Sequence, residues 1–385
     1  MVSRSLKSHT IGGMEYHIDV LTQGLADRGH DVIVVTTSHP DGRRTETLGK
    51  VKIDYLPGMK PGAYSAEWWK SSAEKVKELA GTTDIFHSQS IACHGALDSI
   101  SSSDGRLITT SHGTPITDAI SQSRTSGLKT SPITVGKTLY YFKHHRKTYR
   151  SSRKVIAVSE QLAEHIVKWG FASKENVVTI PNGIDLDRFK AGLSAYKVEE
   201  SLDIGDEKIL LFVGRVRREK GVDLAIKALP NISKKLGPVK LIIVGEGEFA
   251  DQVQPLAKSL GVENQVIQTG RIEEDQVPLY YNLADAFLMP STRWEALPLS
   301  LLEAIATGIV VVASDVGGIP SVIEDGYNGI LVKKGDMESL VGGVVRAMSS
   351  SSIEIPWNAR RTAEERFDAK KMVESVIAVY EEAMS

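Results

Sequence analysis

The sequence holds one cysteine, Cys93, among its 385 residues, so no disulfide can form within the chain. It also lacks any run near the roughly 18 uncharged apolar residues that a membrane span requires. The first residues show no apolar core of the kind that a secretory signal carries. These absences favour a reducing compartment, and we expect cytoplasmic residence.

Histidine is absent after His165, and the charges are divided unevenly as well. Residues 1–190 carry 25 Lys and Arg against 19 Asp and Glu, a balance of +6, whereas the remainder carries 21 against 29, a balance of −8. A chain of 385 residues exceeds what one hydrophobic core usually supports. Two domains with different tasks are the simplest interpretation. With a pI near 6.6 and only one short basic region, a nucleic-acid partner is not expected.

Short apolar strands alternate with amphipathic helices from Lys208 onward. The predicted strands are 209–213, 241–244, 266–269, 286–289 and 309–313, and the predicted helices are 223–229, 249–260, 277–283 and 297–306. This alternation predicts a parallel sheet with helices on both faces, and ligands bind such sheets at the carboxyl ends of the strands. The first half alternates less regularly, and Ser121–Pro132 is predicted to be a mobile loop.

Two acidic residues, Glu295 and Glu303, stand eight apart where a predicted loop turns into a helix. Pro298 suits the first helical turn, and Gly308 is typical of a helix end. The free N–H groups at the helix start favour a phosphate between the two acids. The alternative interpretation is one surface acid and one buried, paired acid.

Two cations, Arg215 and Lys220, follow the predicted strand 209–213 in a turn with Gly214 and Gly221. They can form an anion site or only a solvated cationic turn. Further short motifs occur in order along the chain. They are Gly12-Gly13-Met14-Glu15, Asp84-Ile85-Phe86-His87, Ser111-His112-Gly113, Pro181-Asn182-Gly183, Val244-Gly245-Glu246-Gly247, Thr269-Gly270-Arg271 and Gly317-Gly318-Ile319-Pro320.

In these motifs and their order the chain resembles the retaining glycosyltransferases of family 4. The resemblance implies an α/β fold of the GT-B type, with two Rossmann-like doubly wound domains facing each other across a cleft. The first domain would be residues 1–187 with a C-terminal helix of about 366–385, and it would bind the acceptor. Residues 188–365 would form the domain that binds the nucleotide-sugar donor.

The resemblance also implies a reaction. A hexosyl or N-acetylhexosaminyl group would pass from a UDP- or GDP-sugar to a hydroxyl acceptor with retention of the anomeric configuration. Arg215 and Lys220 would stabilise the departing diphosphate in place of a metal ion, so no metal or other cofactor is expected. No Asp-x-Asp pair stands in a suitable loop.

The resemblance assigns roles to individual residues. Glu303 would bind the ribose hydroxyls, and Glu295 would face the sugar. The N–H groups near Leu297 and Leu299 would face the sugar and the phosphate, and backbone groups of Arg271 and Ile272 would pair with the base. Gly13 would allow close approach to the diphosphate, and His112 would contact the donor sugar. The acceptor side would hold Gly12, Glu15 and His87.

Several positions depart from the family pattern. Ala296 and Pro298 replace frequent glycines, and Ser321 stands where the family often has Glu. Only Met1-Val2-Ser3 precedes the first glycine motif as strand material, so we expect about five to ten further apolar residues upstream. Two alternatives follow: a non-catalytic nucleotide-sugar-binding scaffold, or a sugar-nucleotide epimerase on the same fold.

The stretch 137–154 contains seven Lys and Arg, no acid, and the cluster Leu139-Tyr140-Tyr141-Phe142. Cations and aromatic rings together suit an anionic membrane surface. A solvated helix with inward-facing rings, or a site for a phosphate-bearing acceptor, would show the same pattern. Association at the inner face of the membrane is therefore one of three interpretations.

Overall fold

The computed structural model describes residues 1–10, 12–102, 106–117, 119 and 132–385. Residues 121–131 of the loop predicted at Ser121–Pro132 lie outside this part of the chain. The described residues form two compact units. The first comprises the chain up to Gly183 together with Ala369–Ser385, and the second comprises Ile184–Asp368.

The elements of the first unit alternate between strands and helices. Its strands are β1 (Val32–Thr36), β2 (Thr45–Leu48), β3 (Val51–Tyr55), β4 (Ile85–Gln89), β5 (Arg106–Ser111), β6 (Lys154–Ala157) and β7 (Val177–Thr179). Its helices are α1 (Gly13–Asp27), α2 (Ala66–Leu79), α3 (Leu97–Ser102), α4 (Pro132–Ser151) and α5 (Glu160–Lys168), with the last helix of the chain added to them.

The start of the chain joins two groups of strands in the first unit. One group has the order β1-β3-β2, with β2 antiparallel, and the other has the parallel order β4-β5-β6-β7. Val2 pairs in parallel with Val35 of β1 and Ser88 of β4. Its N–H donates to the His87 carbonyl at 2.8 Å, and its own carbonyl accepts from Gln89 at 2.9 Å. Met1–Ser3 therefore occupy the central strand position, while the upstream residues expected from the sequence stay a prediction.

The second unit repeats the alternation more regularly. Its strands are β8 (Lys208–Val213), β9 (Val239–Val244), β10 (Val266–Gly270), β11 (Ala286–Met289), β12 (Val310–Ser314) and β13 (Ile330–Val332). Its helices are α6 (Tyr196–Ser201), α7 (Val222–Leu236), α8 (Ala250–Ser259), α9 (Val277–Leu283), α10 (Leu299–Thr307), α11 (Met337–Ala347) and α12 (Ile355–Arg366), and α13 (Ala369–Met384) then returns to the first unit.

Helices cover both faces of the sheet in the first unit. Leu21 of α1 and Val376 of α13 share one buried cluster with Val34 of β1. Trp68 of α2 and Ile100 of α3 belong to another cluster. The prediction of a final helix at Ala369–Met384 is confirmed, and Arg153 holds its end by donating to the Ala383 carbonyl at 3.1 Å.

The sheet of the second unit is parallel throughout, with the order β10-β9-β8-β11-β12-β13. The chain builds outward from β8 to one edge and then from β11 to the other. The direction of winding therefore changes between β8 and β11. Ligands of doubly wound sheets bind at the carboxyl ends of the strands at this switch point. The predicted parallel α/β architecture is confirmed for this unit.

Helix α10 follows the loop after β11 and carries Glu303. It begins two residues later than predicted, because Pro298 is its N-cap with an extended backbone (φ −69°, ψ 128°). The apolar residues Leu301, Leu302 and Ile305 are buried and hold the helix against the sheet. Gly308 ends the helix in the left-handed conformation at φ +76°, as predicted.

Within the described residues, no helix combines the length and the apolar composition that crossing a bilayer requires.

Candidate active site

Glycines let the loop after β8 lie close to the loop after β11. Gly221 has φ +79°, and a Cβ atom there would lie 1.9 Å from the carbonyl oxygen of Pro290. Gly245, after β9, has φ +130°, and its Cβ atom would lie 2.0 Å from the Gly214 carbonyl. A side chain at Gly221 would push the loops after β8 and β11 apart, and one at Gly245 would push the loops after β9 and β8 apart. The two glycines therefore permit close backbone packing around the end of β8.

Glu219 fastens the two switch-point loops to each other. Its carbonyl accepts hydrogen bonds from the backbone N–H of Thr292 at 2.9 Å and of Arg293 at 3.2 Å. Its carboxylate lies 3.4 Å from the guanidinium of Arg217 and 3.7 Å from that of Arg293. The short 3₁₀ turn Arg218–Lys220 is thereby held beside the end of β11.

Lys220 and Glu295 meet where these loops touch. Lys220 Nζ lies 2.7 Å from Glu295 Oε1, and the Ser291 hydroxyl donates to the same oxygen at 2.7 Å. Only 9% of the Glu295 side chain is exposed, against 24% of Lys220. A carboxylate this deep needs such partners, because desolvation without them is costly.

The loop after β12 closes against the backbone of Glu295. Gly318 donates its N–H to the Glu295 carbonyl at 2.7 Å. A Cβ atom at Gly317 would lie 2.1 Å from that carbonyl oxygen, and Gly317 has φ +55°. The loop after β8 therefore holds the side chain of Glu295 through Lys220, and the loop after β12 holds its backbone through Gly318.

Glu303 lies one turn into α10, and its carboxylate has a partner on another helix. The hydroxyl of Tyr281, in α9, donates to Glu303 Oε2 at 2.9 Å. Burial and the nearby Glu303 raise the pKa of Tyr281 well above its usual value. The hydroxyl therefore remains a hydrogen-bond donor at any working pH.

The other residues assigned to the donor also lie at strand ends or beside α10. Arg215 is exposed directly after Gly214, and Arg271 is exposed directly after β10, followed by the half-buried Ile272. Leu297 and Leu299 are buried on either side of the N-cap of α10. The N-cap residue Pro298 makes no side-chain hydrogen bond to this helix, and amides at a helix start suit an anion.

In the first unit, His112 follows β5 and belongs to a group of histidines. Its Nε2 lies 2.8 Å from Gln89 Oε1, and its ring meets His17 edge-on with centroids 4.9 Å apart. Burial lowers the pKa of His112 well below its usual value, and the nearby His17 and His87 act in the same direction. The imidazole is therefore neutral near pH 7, and can donate with one nitrogen and accept with the other.

The remaining first-unit assignments fall at different depths. His87 is buried inside β4, with Nδ1 2.5 Å from the Tyr380 hydroxyl and Nε2 2.7 Å from Thr110 Oγ1. Glu15 is buried on α1, bonded to the Ser5 hydroxyl, and it borders a small cavity. Gly12 and Gly13 form the N-cap and first residue of α1.

The sequence does not predict three side chains that form hydrogen bonds with the predicted site residues. They are Ser291 on Glu295, Tyr281 on Glu303, and Gln89 on His112. Ser291 alone had a sequence signal, since a hydroxyl directly after a buried strand is placed at the sheet edge. Tyr281 lies in a helix whose facing partner cannot be read from the sequence.

Two family models match the chain. Residues 11–188 match the model described as Glycosyltransferase Family 4, and residues 197–366 match the one described as Glycosyl transferases group 1. Between them the models leave out only residues 1–10, 189–196 and 367–385. The two matches divide the chain near the boundary between its two units.

Relatives and solved structures agree with these models. An uncharacterized glycosyltransferase of Methanocaldococcus jannaschii is 28% identical over 390 residues, covering 100% of this chain and 98% of its own. A GDP-mannose-dependent alpha-(1-6)-phosphatidylinositol monomannoside mannosyltransferase of Mycolicibacterium smegmatis is 34% identical over 172 residues, which are 43% of this chain and 45% of that protein. The structure of HepE from Anabaena in complex with UDP-glucose matches with a TM-score of 0.78 at 19% identity, covering 99% of this chain and 98% of that one. The chain therefore belongs to the family 4, group 1 glycosyltransferases and is a glycosyltransferase with the GT-B fold.

Proposed function

We propose that the chain transfers a hexosyl or N-acetylhexosaminyl group from a nucleotide-sugar to a hydroxyl acceptor, with retention of configuration. The observation that carries this proposal is the contact between Lys220 and the buried Glu295 at the switch point of the second unit. A doubly wound sheet binds its ligand there, and the pair offers it one cation and one carboxylate.

The proposed step breaks the bond between the anomeric carbon and the diphosphate oxygen, and the electron pair leaves with the diphosphate. Lys220 and the exposed Arg215 stabilise the negative charge that develops on that group. The acceptor oxygen forms its bond to the anomeric carbon on the same face. Its proton passes to the departing phosphate, so no protein nucleophile is required. Since these cations meet the developing charge, we propose that no metal ion is needed.

The donor is held by several second-unit groups in this proposal. Glu303 accepts hydrogen bonds from the ribose hydroxyls, and Glu295 faces the sugar. The amides near Leu297 and Leu299 approach the adjoining phosphate, where the start of α10 supplies the positive end of a helix dipole. Backbone groups of Arg271 and Ile272 pair with the base.

Two nucleotides are candidates for the donor. The Mycolicibacterium relative is named as GDP-mannose-dependent, and the Anabaena structure holds UDP-glucose. Both GDP- and UDP-sugars are therefore the first donors to test.

We assign the acceptor to the first unit, with Gly12, Glu15 and His87 on the acceptor side, and we assign His112 to the donor sugar through the ring nitrogen opposite Gln89. A neutral imidazole can accept a hydrogen bond from a sugar hydroxyl there. Gly13, the first residue of α1, permits close approach to the donor diphosphate in this assignment, because it has no side chain.

A surface of α4 is our candidate for contact with an anionic membrane. Leu139 and Tyr140 are 58% and 47% exposed, and the side chains of Lys137, Lys143 and Lys147 are exposed on the same helix. Each cation near an anionic lipid surface contributes about 1 kcal/mol to binding. The name of the Mycolicibacterium relative includes phosphatidylinositol monomannoside, so a lipid-linked acceptor is the corresponding proposal for this chain.

The test of the enzymatic proposal uses the purified protein with UDP- and GDP-sugars. We expect one donor to raise the melting temperature and to be hydrolysed slowly without an acceptor, with the sugar released in the retained anomeric form. A chelator should leave the rate unchanged. An inverted product contradicts the mechanism, and an isomerised donor identifies an epimerase instead.

The test of the membrane proposal is co-sedimentation with phosphatidylcholine vesicles that contain or lack phosphatidylglycerol. Binding should require the anionic lipid and fall when Lys143 and Lys147 are both changed to Glu. Changing Lys234 and Lys235, two exposed lysines on α7 of the second unit, to Glu is the matched control and should bind as the wild type does. Absence of binding at low salt contradicts the proposal.

A further inference from the structure

The carboxylate of Glu303 is held by a tyrosine that has no assigned role. The Tyr281 hydroxyl lies 2.9 Å from Glu303 Oε2 and 3.1 Å from the backbone carbonyl of Ser300, three residues earlier in α10. Tyr281 is 1% exposed, so this hydroxyl makes its hydrogen bonds inside the protein. A buried hydroxyl that lost these partners would be left unsatisfied, which fixes the tyrosine strongly.

The ring of Tyr281 is itself fixed from two sides. Phe189 meets it edge-on with ring centroids 6.1 Å apart, and Phe287 of β11 lies at 5.5 Å with the rings tilted by 57°. Both phenylalanines are buried. The hydroxyl is therefore presented to α10 by a helical residue whose ring packs against β11 on one side and against the segment with Phe189 on the other.

A hydrogen bond to one carboxylate oxygen selects one orientation of the whole carboxylate. Glu303 has three rotatable side-chain bonds, and it is only partly buried. A carboxylate on such a side chain can take several directions, and a ligand then has to order it on binding. The hydrogen bond from Tyr281 restricts these directions before any ligand arrives.

We propose that Tyr281 is a positioning residue for Glu303 and that it sets the preference of the donor site for a ribose carrying both hydroxyls. This inference rests on the proposed function, in which Glu303 binds the ribose. Tyr281 does not touch the nucleotide and acts through the orientation of the carboxylate. Its loss therefore weakens recognition of the ribose hydroxyls more than it weakens recognition of the diphosphate.

The test compares the dissociation constants of UDP and GDP with those of their 2′,3′-dideoxy analogues, measured by titration calorimetry on the purified protein. For whichever diphosphate binds, the wild type should prefer the ribose form by about ten- to a hundredfold, the value of a hydrogen bond to a charged group. Tyr281→Phe should lower this ratio to within about threefold of unity, which corresponds to loss of most of that hydrogen bond.

Tyr280→Phe is the matched control. Tyr280 is the neighbouring residue in the same helix and is also buried, at 6% exposure. The control should keep the wild-type ratio. The same ratio in Tyr281→Phe as in the wild type overturns the inference, and so does an equal reduction in both variants.

A double-mutant cycle keeps the inference testable if Tyr281→Phe also loosens the fold. In the Glu303→Gln background, adding Tyr281→Phe should leave the ribose preference unchanged within about twofold, because coupled residues do not act additively. A further fall in the ribose preference when Tyr281→Phe is added to Glu303→Gln overturns the inference.

Failure of the proposed function gives a different result. A wild-type protein that binds neither diphosphate contradicts donor binding itself, and the inference falls with it. A wild-type protein that binds a diphosphate without any ribose preference leaves donor binding intact and overturns only the role of Glu303 together with that of Tyr281.

Discussion

Lys220 Nζ lies 2.7 Å from Glu295 Oε1, although the two residues are 75 positions apart in the chain. They meet because β8 and β11, which precede their loops, are neighbours in the sheet. The Ser291 hydroxyl and the Gly318 amide complete the attachment of Glu295. This pair combines the two kinds of charged group that suit a nucleotide-sugar. The cation suits its phosphates, and the carboxylate suits its hydroxyl groups.

The first prediction concerns Lys220→Met. We expect kcat/KM for the donor to fall on the order of 10²–10³-fold, because a preorganised group that meets developing charge is lost. We also expect the free energy of unfolding to fall by about 1–3 kcal/mol, since Glu295 then stays buried without its cation. Steady-state kinetics and urea unfolding measure the two effects.

Lys227→Met is the control for Lys220→Met. Lys227 pairs with Asp223 at 2.9 Å on the surface of α7, and 45% of its side chain is exposed. The loss should cost only about 0.3–0.5 kcal/mol and leave the kinetics unchanged, because solvent screens an exposed helix pair. Equal effects of the two variants would show that Lys220 contributes only to surface charge.

The second prediction concerns Ser291→Ala. Removing the hydroxyl leaves Glu295 Oε1 with Lys220 but without its second donor, and the carboxylate can then rotate. We expect a loss of about tenfold in kcat/KM, the value of one hydrogen bond to a charged group. The free energy of unfolding should also fall by about 1–3 kcal/mol, because the buried Glu295 carboxylate loses one of its two donors, as urea unfolding would show. Unchanged kinetics would mean that Lys220 alone fixes Glu295.

The third prediction uses two glycines in the second unit. At Gly317 an added Cβ atom would meet the Glu295 carbonyl at 2.1 Å, and φ is +55°. Gly317→Ala should therefore lower stability by about 2–4 kcal/mol and displace Glu295, with loss of activity. At Gly342, inside α11, an added Cβ atom would lie more than 4 Å from every described atom other than its chain neighbours and the nearby helix backbone, so Gly342→Ala should raise stability by about 0.5–1 kcal/mol. Urea unfolding measures both variants. Shifts of the unfolding midpoint that have the same sign and similar size in the two variants would contradict the prediction.

Much of the second unit could be predicted from its sequence, and the reason is local. The strand at β8, the helix carrying Glu303 and its end at Gly308 depend on apolar periodicity and on glycine, which act within a few residues. The sequence predicts the start of that helix two residues too early, because proline is compatible with both the N-cap and the first turn. Local patterns specify elements well and their ends less well.

The side-chain partners could not be predicted, because they depend on which strands are neighbours. The resemblance assigns Glu295 to the sugar and Lys220 to the diphosphate, but it does not indicate that the two side chains contact each other. Tyr281 and Glu303 are 22 positions apart on different helices. Their contact follows from how α9 and α10 pack, which periodicity does not encode. In the first unit, the burial of His87 between Thr110 and Tyr380 depends on the return of α13 to the sheet.

The last prediction concerns pH and the buried histidines of the first unit. Burial lowers the pKa of His17 to about 4, with the neighbouring Asn182 side chain acting in the opposite direction, whereas an unfolded histidine titrates near 6.5. Between these two values the unfolded chain binds a proton that the folded protein does not. The stabilising contribution is therefore complete above pH 6.5 and is lost as the pH falls toward 4, with a slope of about 1.4 kcal/mol per pH unit.

His17→Gln removes this titration. The neighbouring His87 and His112 also have lowered pKa values, so the free energy of unfolding of the variant still depends on pH. Its slope against pH should be smaller than that of the wild type by the contribution of about one proton. Urea unfolding at several values between pH 4.5 and 6.5 measures the slope. His30→Gln, at an exposed position, is the control and should follow the wild type. If His17→Gln retains the full slope, then His17 is protonated in the folded protein, and its edge-on contact with His112 must be between a charged and a neutral ring.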